Sequence, residues 1–256
     1  VKKIHILCLN IQLIKPTQPT KLTKPNQYLM LRIILFYFCL ICSTAVFSQR
    51  HKKDTVFLKK AKDQLVYIEP DIHSEKYRAL ADFSLAEYQK ESYDEQLRQF
   101  ESAEFPFNKF SLGRFPRKWV TINLYQSKPY AYYPCDFINY SALVFTDSTL
   151  LQYSGEPPQI EPLLGFKRID IQTFQVITTQ RSMIFHFISL AGKKLFLVEN
   201  NYDVAEQMDA APLYQLMIPA SQIKTVPMIV NECNVQKQLE WAFDNPNYQR
   251  LLQTTH

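Results

Sequence analysis

The pattern of apolar and polar positions is most informative between Ser182 and Glu199. Two β-prone runs there, Ser182–Leu190 and Lys194–Glu199, flank a short turn at Ala191–Gly192. Such an arrangement predicts a β-hairpin. Met183, Phe185 and Phe187 fall on one face, Ile184, Ile188 and Leu190 on the other, and Leu195 to Val198 is apolar throughout. A strand with two apolar faces has to be covered on both sides, which places this hairpin at the centre of the folded body.

The rest of the chain from Trp119 onward reads in the same way. Trp119–Tyr125 alternates, Tyr130–Tyr133 returns after Ser-Lys-Pro, and Tyr140–Phe145 faces Leu150–Tyr153 across Thr-Asp-Ser-Thr. Gly155–Pro162 reads as a loop because its prolines cannot donate to a central ladder. Phe166–Ile171, Thr173–Thr178, Leu213–Ile218 and Ile223–Val230 complete the series, with Thr55–Leu58 and Gln64–Ile68 as earlier short strands. Gln236–Phe243 reads as a short helix, followed by a final turn over Pro246–Leu252.

The segment Ser74–Glu104 differs. It lacks Gly and Pro, is rich in Ala, Leu, Glu, Gln and Lys, and carries Tyr77, Leu80, Ala81, Leu85 and Tyr88 at helical spacing. Ser92 with Glu95 has the form of a capping box opening a second helix, with Tyr93, Leu97 and Phe100 as its stripe. Helices that precede the strands argue against a parallel α/β fold. The expected fold is therefore mainly β (α+β): an antiparallel meander closing into an up-and-down, calycin-like barrel, with the N-terminal helical segment packed on its outer face. The Gly-x-Trp signature of lipocalins is absent, because Arg117 and Lys118 precede Trp119.

Charge changes the picture at the N-terminus. Six of the 29 basic residues and none of the 24 acidic ones precede Gln49, so the remainder carries 23 against 24, a net of −1. The near-neutral body offers no electrostatic case for nucleic acid. Residues 1–29, rich in Lys, Pro and Thr, read as an untranslated or disordered leader. Met30 and Arg32 then precede an uncharged run, Ile33–Ser48, with Val46 and Ser48 placed as the −3 and −1 residues of a cut before Gln49. This is the pattern of a signal peptide over 30–48. The rival is an uncleaved anchor, for which a run of this length is short. The expected destination is the periplasm, the cell envelope or the exterior. Residues 49–117 then supply the first strands and the helical segment, and 118–256 the antiparallel β domain with a short C-terminal helix.

The mature chain keeps two cysteines, Cys135 and Cys233, which either form one disulfide or stay as separate buried thiols. The four glycines are scattered, which excludes a Gly-rich phosphate loop. Neither a Gly-x-Ser-x-Gly elbow nor a His-Glu-x-x-His motif occurs. Asp203, Glu206 and Asp209 are spaced for one side of a helix, but lack the calcium-loop pattern and read as a solvated face. No metal and no cofactor is expected.

His186, beside Ile184 and Ile188, reads either as a polar group in a ligand cavity or as a buried structural histidine. Tyr130, Tyr132 and Tyr133 form the densest aromatic patch, able to stack on sugar rings or line a pocket, and equally able to serve packing alone. These observations lead to an exported, non-catalytic binding module for an apolar ligand, a glycan or an envelope partner. A secreted hydrolase with a carboxylate-based site and a structural envelope subunit are the alternatives. The remaining partner expectations are no nucleic acid and no stable membrane insertion once the signal is cut.

Overall fold

A computed structural model describes residues 54–253 apart from 106, 137–139, 155–157, 203–211 and 235–239. Residues 1–29, read as a leader, residues 30–48, read as a signal peptide, and the Asp203, Glu206 and Asp209 group lie outside the described residues.

Among the described residues the alternating stretches form twelve strands. They are β1 (Val56–Lys60), β2 (Gln64–Ile68), β3 (Lys118–Tyr125), β4 (Lys128–Tyr133), β5 (Ser141–Phe145) and β6 (Thr149–Ser154). They continue as β7 (Gln159–Arg168), β8 (Thr173–Thr178), β9 (Arg181–Leu190), β10 (Lys193–Tyr202), β11 (Leu213–Pro219) and β12 (Met228–Cys233). Among the described residues three helices accompany them: α1 (Glu75–Ala81), α2 (Glu87–Ser102) and α3 (Tyr248–Gln253), with a 3-10 turn at Ala220–Thr225.

Strands β5 to β11 run as an antiparallel meander, and β3 closes it by pairing with both β5 and β11, giving an eight-stranded barrel. The antiparallel meander closing into a barrel that the sequence predicts is thus observed. The device that distinguishes it is β3. Lys118–Val120 pairs with β5, whereas Ile122–Tyr125 leaves that neighbour and pairs with β4. From this fork a second sheet continues as β4, β12, β2 and β1, with β12 parallel to β4 and antiparallel to β2.

The central hairpin, β9 and β10, has Ala191 and Gly192 at positive φ, +48° and +73°, the geometry that matches hairpin twist. Its inner residues Met183, Phe185 and Val198 are fully buried in the barrel, and its outer residues Ile188, Leu195 and Leu197 are buried as well. The outer side is met by α3, whose Leu251 and Leu252 join the same apolar cluster. The helix α1 packs instead on the 3-10 turn and β3, burying Tyr77 and Leu80.

The barrel interior divides along its length. At one end Phe115, delivered by the loop before β3, sits 5.2–5.3 Å from the rings of Trp119, Phe145, Phe166, Phe174 and Phe185. Ring pairs of this kind add about 0.5–1.5 kcal/mol each beyond area burial. At the other end the buried Arg181 meets buried Glu161, Nη2 to Oε1 at 2.7 Å and Nε to Oε2 at 3.3 Å. Its remaining N–H groups donate to Asn200, Tyr202 and Gln152, while Thr178 donates to Glu161. All five donors of the guanidinium are therefore matched.

Four local expectations are corrected. The second helix begins at Glu87, not Ser92, because the Gln89 side chain accepts the Ala86 N–H at 2.9 Å and caps the helix there; Ser92 lies inside α2. Gly155–Pro162 is not all loop, since β7 includes Pro162. The Pro162 carbonyl accepts from Thr179, just past the end of β8, so its missing N–H falls where that ladder has already stopped. Ile223–Val230 is not one strand: it splits into the 3-10 turn and β12. The described part of Gln236–Phe243 is extended, and the helix comes later, where Asn247 Oδ1 accepts the Arg250 N–H at 3.0 Å.

Candidate functional site: the seam cleft

The fork in β3 opens a cleft between the barrel and the second sheet. Because β4 and β5 both leave β3 near Ile122, the strands on either side splay apart. The cleft has a volume of about 230 Å³, at the small end for a ligand site, and suits one ring better than a long chain. Thr121 and Asn123 from β3, Ser141 from β5 and Tyr132 from β4 line it, together with Tyr140. Glu240, Trp241 and Phe243 of the extended C-terminal segment form the other wall.

That segment is held by backbone. Asp244 N donates to Leu124 O at 2.8 Å, and Asp244 Oδ2 accepts Ser127 N at 2.7 Å. Trp241 and Phe243, two residues apart, then fall on the same side and pack on the sheet face that carries Tyr125 and Tyr132.

Glu240 is the polar hub of the wall. Its carboxylate accepts from Tyr132 OH, from Asn231 Nδ2 at 3.1 Å, and from the backbone N–H of Asp136 at 3.1 Å. Tyr132 OH in turn accepts from Asn231 Nδ2 at 2.9 Å and Trp241 N at 3.0 Å. Burial raises the Tyr132 phenol well above its ordinary range, and the adjoining carboxylate adds to the rise. The phenol therefore stays neutral and acts as a hydrogen-bond donor. On the barrel side, Gln215 Nε2 donates to Thr121 Oγ1 at 2.7 Å, and Thr121 donates to Ser141 O at 2.8 Å. One polar group is left over: Trp241 Nε1 is buried and has no hydrogen-bond partner among the described residues.

The tyrosines singled out in the sequence separate. Tyr132 lines the cleft, Tyr130 lies further along the same face beside Tyr125, and Tyr133 packs on the opposite face with the outer cluster. His186 lies on the outer wall of the barrel, its Nε2 3.6 Å from Glu199 Oε2, on a different part of the molecule from the cleft. Cys135 and Cys233 are joined by a disulfide with Cα atoms 5.5 Å apart, tying the end of β4 to the end of β12 behind Glu240. Glu240, Trp241, Phe243 and Asn123 were not singled out from sequence. The alternation Trp-Ala-Phe is the signal that points to an extended wall. Among the described residues no three His, Cys, Asp or Glu converge as a metal-binding set, and no helix is long and apolar enough to cross a membrane.

Comparisons with protein-family models, curated proteins and solved structures find no match for this chain.

Proposed function

We propose that the protein is an exported, non-catalytic binding module that holds a single sugar ring of a glycan in the seam cleft. The observation that carries this reading is the cleft wall itself, in which the rings of Tyr132, Trp241 and Phe243 stand beside Thr121, Asn123, Ser141 and Glu240. Aromatic faces beside Asn, Ser, Thr and Glu suit a ring with apolar faces and a hydroxyl rim. The apolar-ligand version is disfavoured, since Phe115 and its ring partners fill the part of the barrel where such a molecule would sit. Glu240 is the one carboxylate among the described lining residues, whereas glycoside hydrolysis commonly uses a pair, which favours holding over cleaving. The leader pattern and the Cys135–Cys233 disulfide support export, since such bonds persist in oxidising compartments.

The test is a titration of the intact protein with neutral and N-acetylated oligosaccharides, read by tryptophan fluorescence. Trp119 is fully buried, so Trp241 is the responsive reporter. Saturable binding is expected, weakened about tenfold or more by Glu240→Gln or Asn123→Ala, as for loss of a hydrogen bond to a charged or buried polar group. Binding unaffected by both substitutions, or no binding at millimolar saccharide, overturns the proposal. Release of reducing ends would replace it with the hydrolase reading.

A further inference from the structure

The near-neutral body conceals a polarised surface. Strand directions bring the β7–β8 turn, the β9–β10 turn and the loop carrying Phe115 to one end of the barrel. Lys167 and Arg168 flank the first turn, Lys193 and Lys194 follow the second, and Arg114 stands on the loop. The carboxylates there include Asp147, Asp170 and Asp82, the last beside Arg117 and Lys118 in a hollow at the start of β3. Asp170 faces inward to the turn, accepting Gln172 N at 2.6 Å, which holds its carboxyl below the usual range.

The same end carries exposed apolar side chains. Ile171 at the tip of the β7–β8 turn is 78% exposed and Ile169 is 49% exposed. Leu164 and Ile177 continue the exposure along the outer wall of that hairpin. Beside the tip lies an open hollow of about 400 Å³, lined by Arg114 and Arg168 above the rings of Phe166 and Phe174, with no carboxylate among its described walls.

Isolated exposed isoleucines are ordinary. Two on one protruding turn, ringed by cations and set beside a doubly cationic hollow, are not explained by packing. A soluble polyanion would need the cations but not the isoleucines. A membrane surface uses both: apolar tips enter the headgroup layer while Lys and Arg face lipid phosphates. We propose that this barrel end docks peripherally on an anionic lipid surface, with Ile169 and Ile171 inserted and a lipid phosphate seated in the hollow between Arg114 and Arg168. The proposal is independent of the glycan reading, because the seam cleft shares none of these residues.

The experiment is co-sedimentation of the full chain with vesicles of phosphatidylglycerol mixed with phosphatidylcholine, against phosphatidylcholine alone. Lys167→Gln with Lys194→Gln should lower partitioning on the order of tenfold or more, since each cation near such a surface contributes a several-fold factor. Arg168 is spared, because its guanidinium bonds to the Asp170 and Ile171 carbonyls of the turn. Ile169→Ser with Ile171→Ser should also lower it several-fold, while Arg98→Gln on α2 should leave it unchanged. Unaltered thermal melting shows that the variants fold. Equal binding to both vesicle types overturns the proposal. So does binding insensitive to the lysine or isoleucine pairs, which is how attachment through the leader would read. Binding of soluble polyphosphate without vesicle binding would assign the cations to a polyanion instead and overturn it too.

Discussion

The barrel interior and the seam cleft are lined by one continuous sheet face, yet they differ in how completely their polar groups are satisfied. In the barrel, every N–H of Arg181 has an acceptor and Glu161 is held from two sides. The opposite end is filled by rings around Phe115. In the cleft, Tyr132 and Glu240 are well bonded, but Trp241 Nε1 is not. The two regions therefore differ in one donor, Trp241 Nε1, which is left without an acceptor among the described residues.

The sharpest way to break this contrast is to substitute its two carboxylates. Glu161→Gln leaves the Arg181 charge buried without its counter-ion, and should lower stability by about 3–5 kcal/mol in urea unfolding. Replacing both partners by apolar residues should cost far less, because the desolvated charge is gone. Glu240→Gln should cost only about 1–2 kcal/mol, since the half-buried side chain loses hydrogen-bond strength at an open cleft. If Glu240→Gln proved as damaging as Glu161→Gln, the cleft would be a structural core and the contrast would fail.

The next effect concerns the second sheet alone. The Cys135–Cys233 bond spans 98 residues of sequence and ties β4 to β12. Its removal by Cys135→Ser with Cys233→Ser should cost about 2–4 kcal/mol. Hydrogen exchange should then quicken in β4, β12 and β2 while β8, β9 and β10 keep their protection. Uniform loss across both regions would show that barrel and second sheet unfold as one unit.

Much of the barrel was legible in the sequence because its cues are local. The two apolar faces of β9 and β10, the alternation in β3 and the turn at Gly192 each follow from neighbouring residues. The fork was not legible. Nothing in Lys118–Tyr125 says that its first residues pair with β5 and its last with β4, because both partnerships are set by long-range packing. The parallel pairing of β12 with β4 is hidden for the same reason. The cleft inherits this blindness. The aromatic run at 130–133 drew attention to β4, but only the strand's pleat shows that Tyr132 and Tyr133 face opposite ways. Glu240–Phe243 has helix-forming composition, and tertiary contacts on the sheet override that propensity.

The smallest expected effect lies on the exposed side of the second sheet and sharpens the comparison through pH. Lys76 Nζ sits 2.8 Å from Glu232 Oε1, and Tyr67 OH donates to the same oxygen at 2.8 Å. Partial burial pushes the Glu232 carboxyl up, but the hydrogen bonds from Lys76 and Tyr67 outweigh it and hold it below the usual carboxylate range. A carboxyl whose folded pKa is depressed stabilises the fold above its unfolded pKa, about 4.3 for Glu, and loses that contribution as pH falls through the folded value. Glu232 is 42% exposed, so solvent screening keeps the contribution under about 1 kcal/mol. Glu232→Gln should therefore lower the urea midpoint slightly at neutral pH, and the difference from wild type should vanish once the pH is below the folded pKa. A difference that persisted at that acidity would mean that Glu232 acts through packing and not through charge. The second sheet would then resemble the barrel, built from groups whose partners are fixed whatever the solvent.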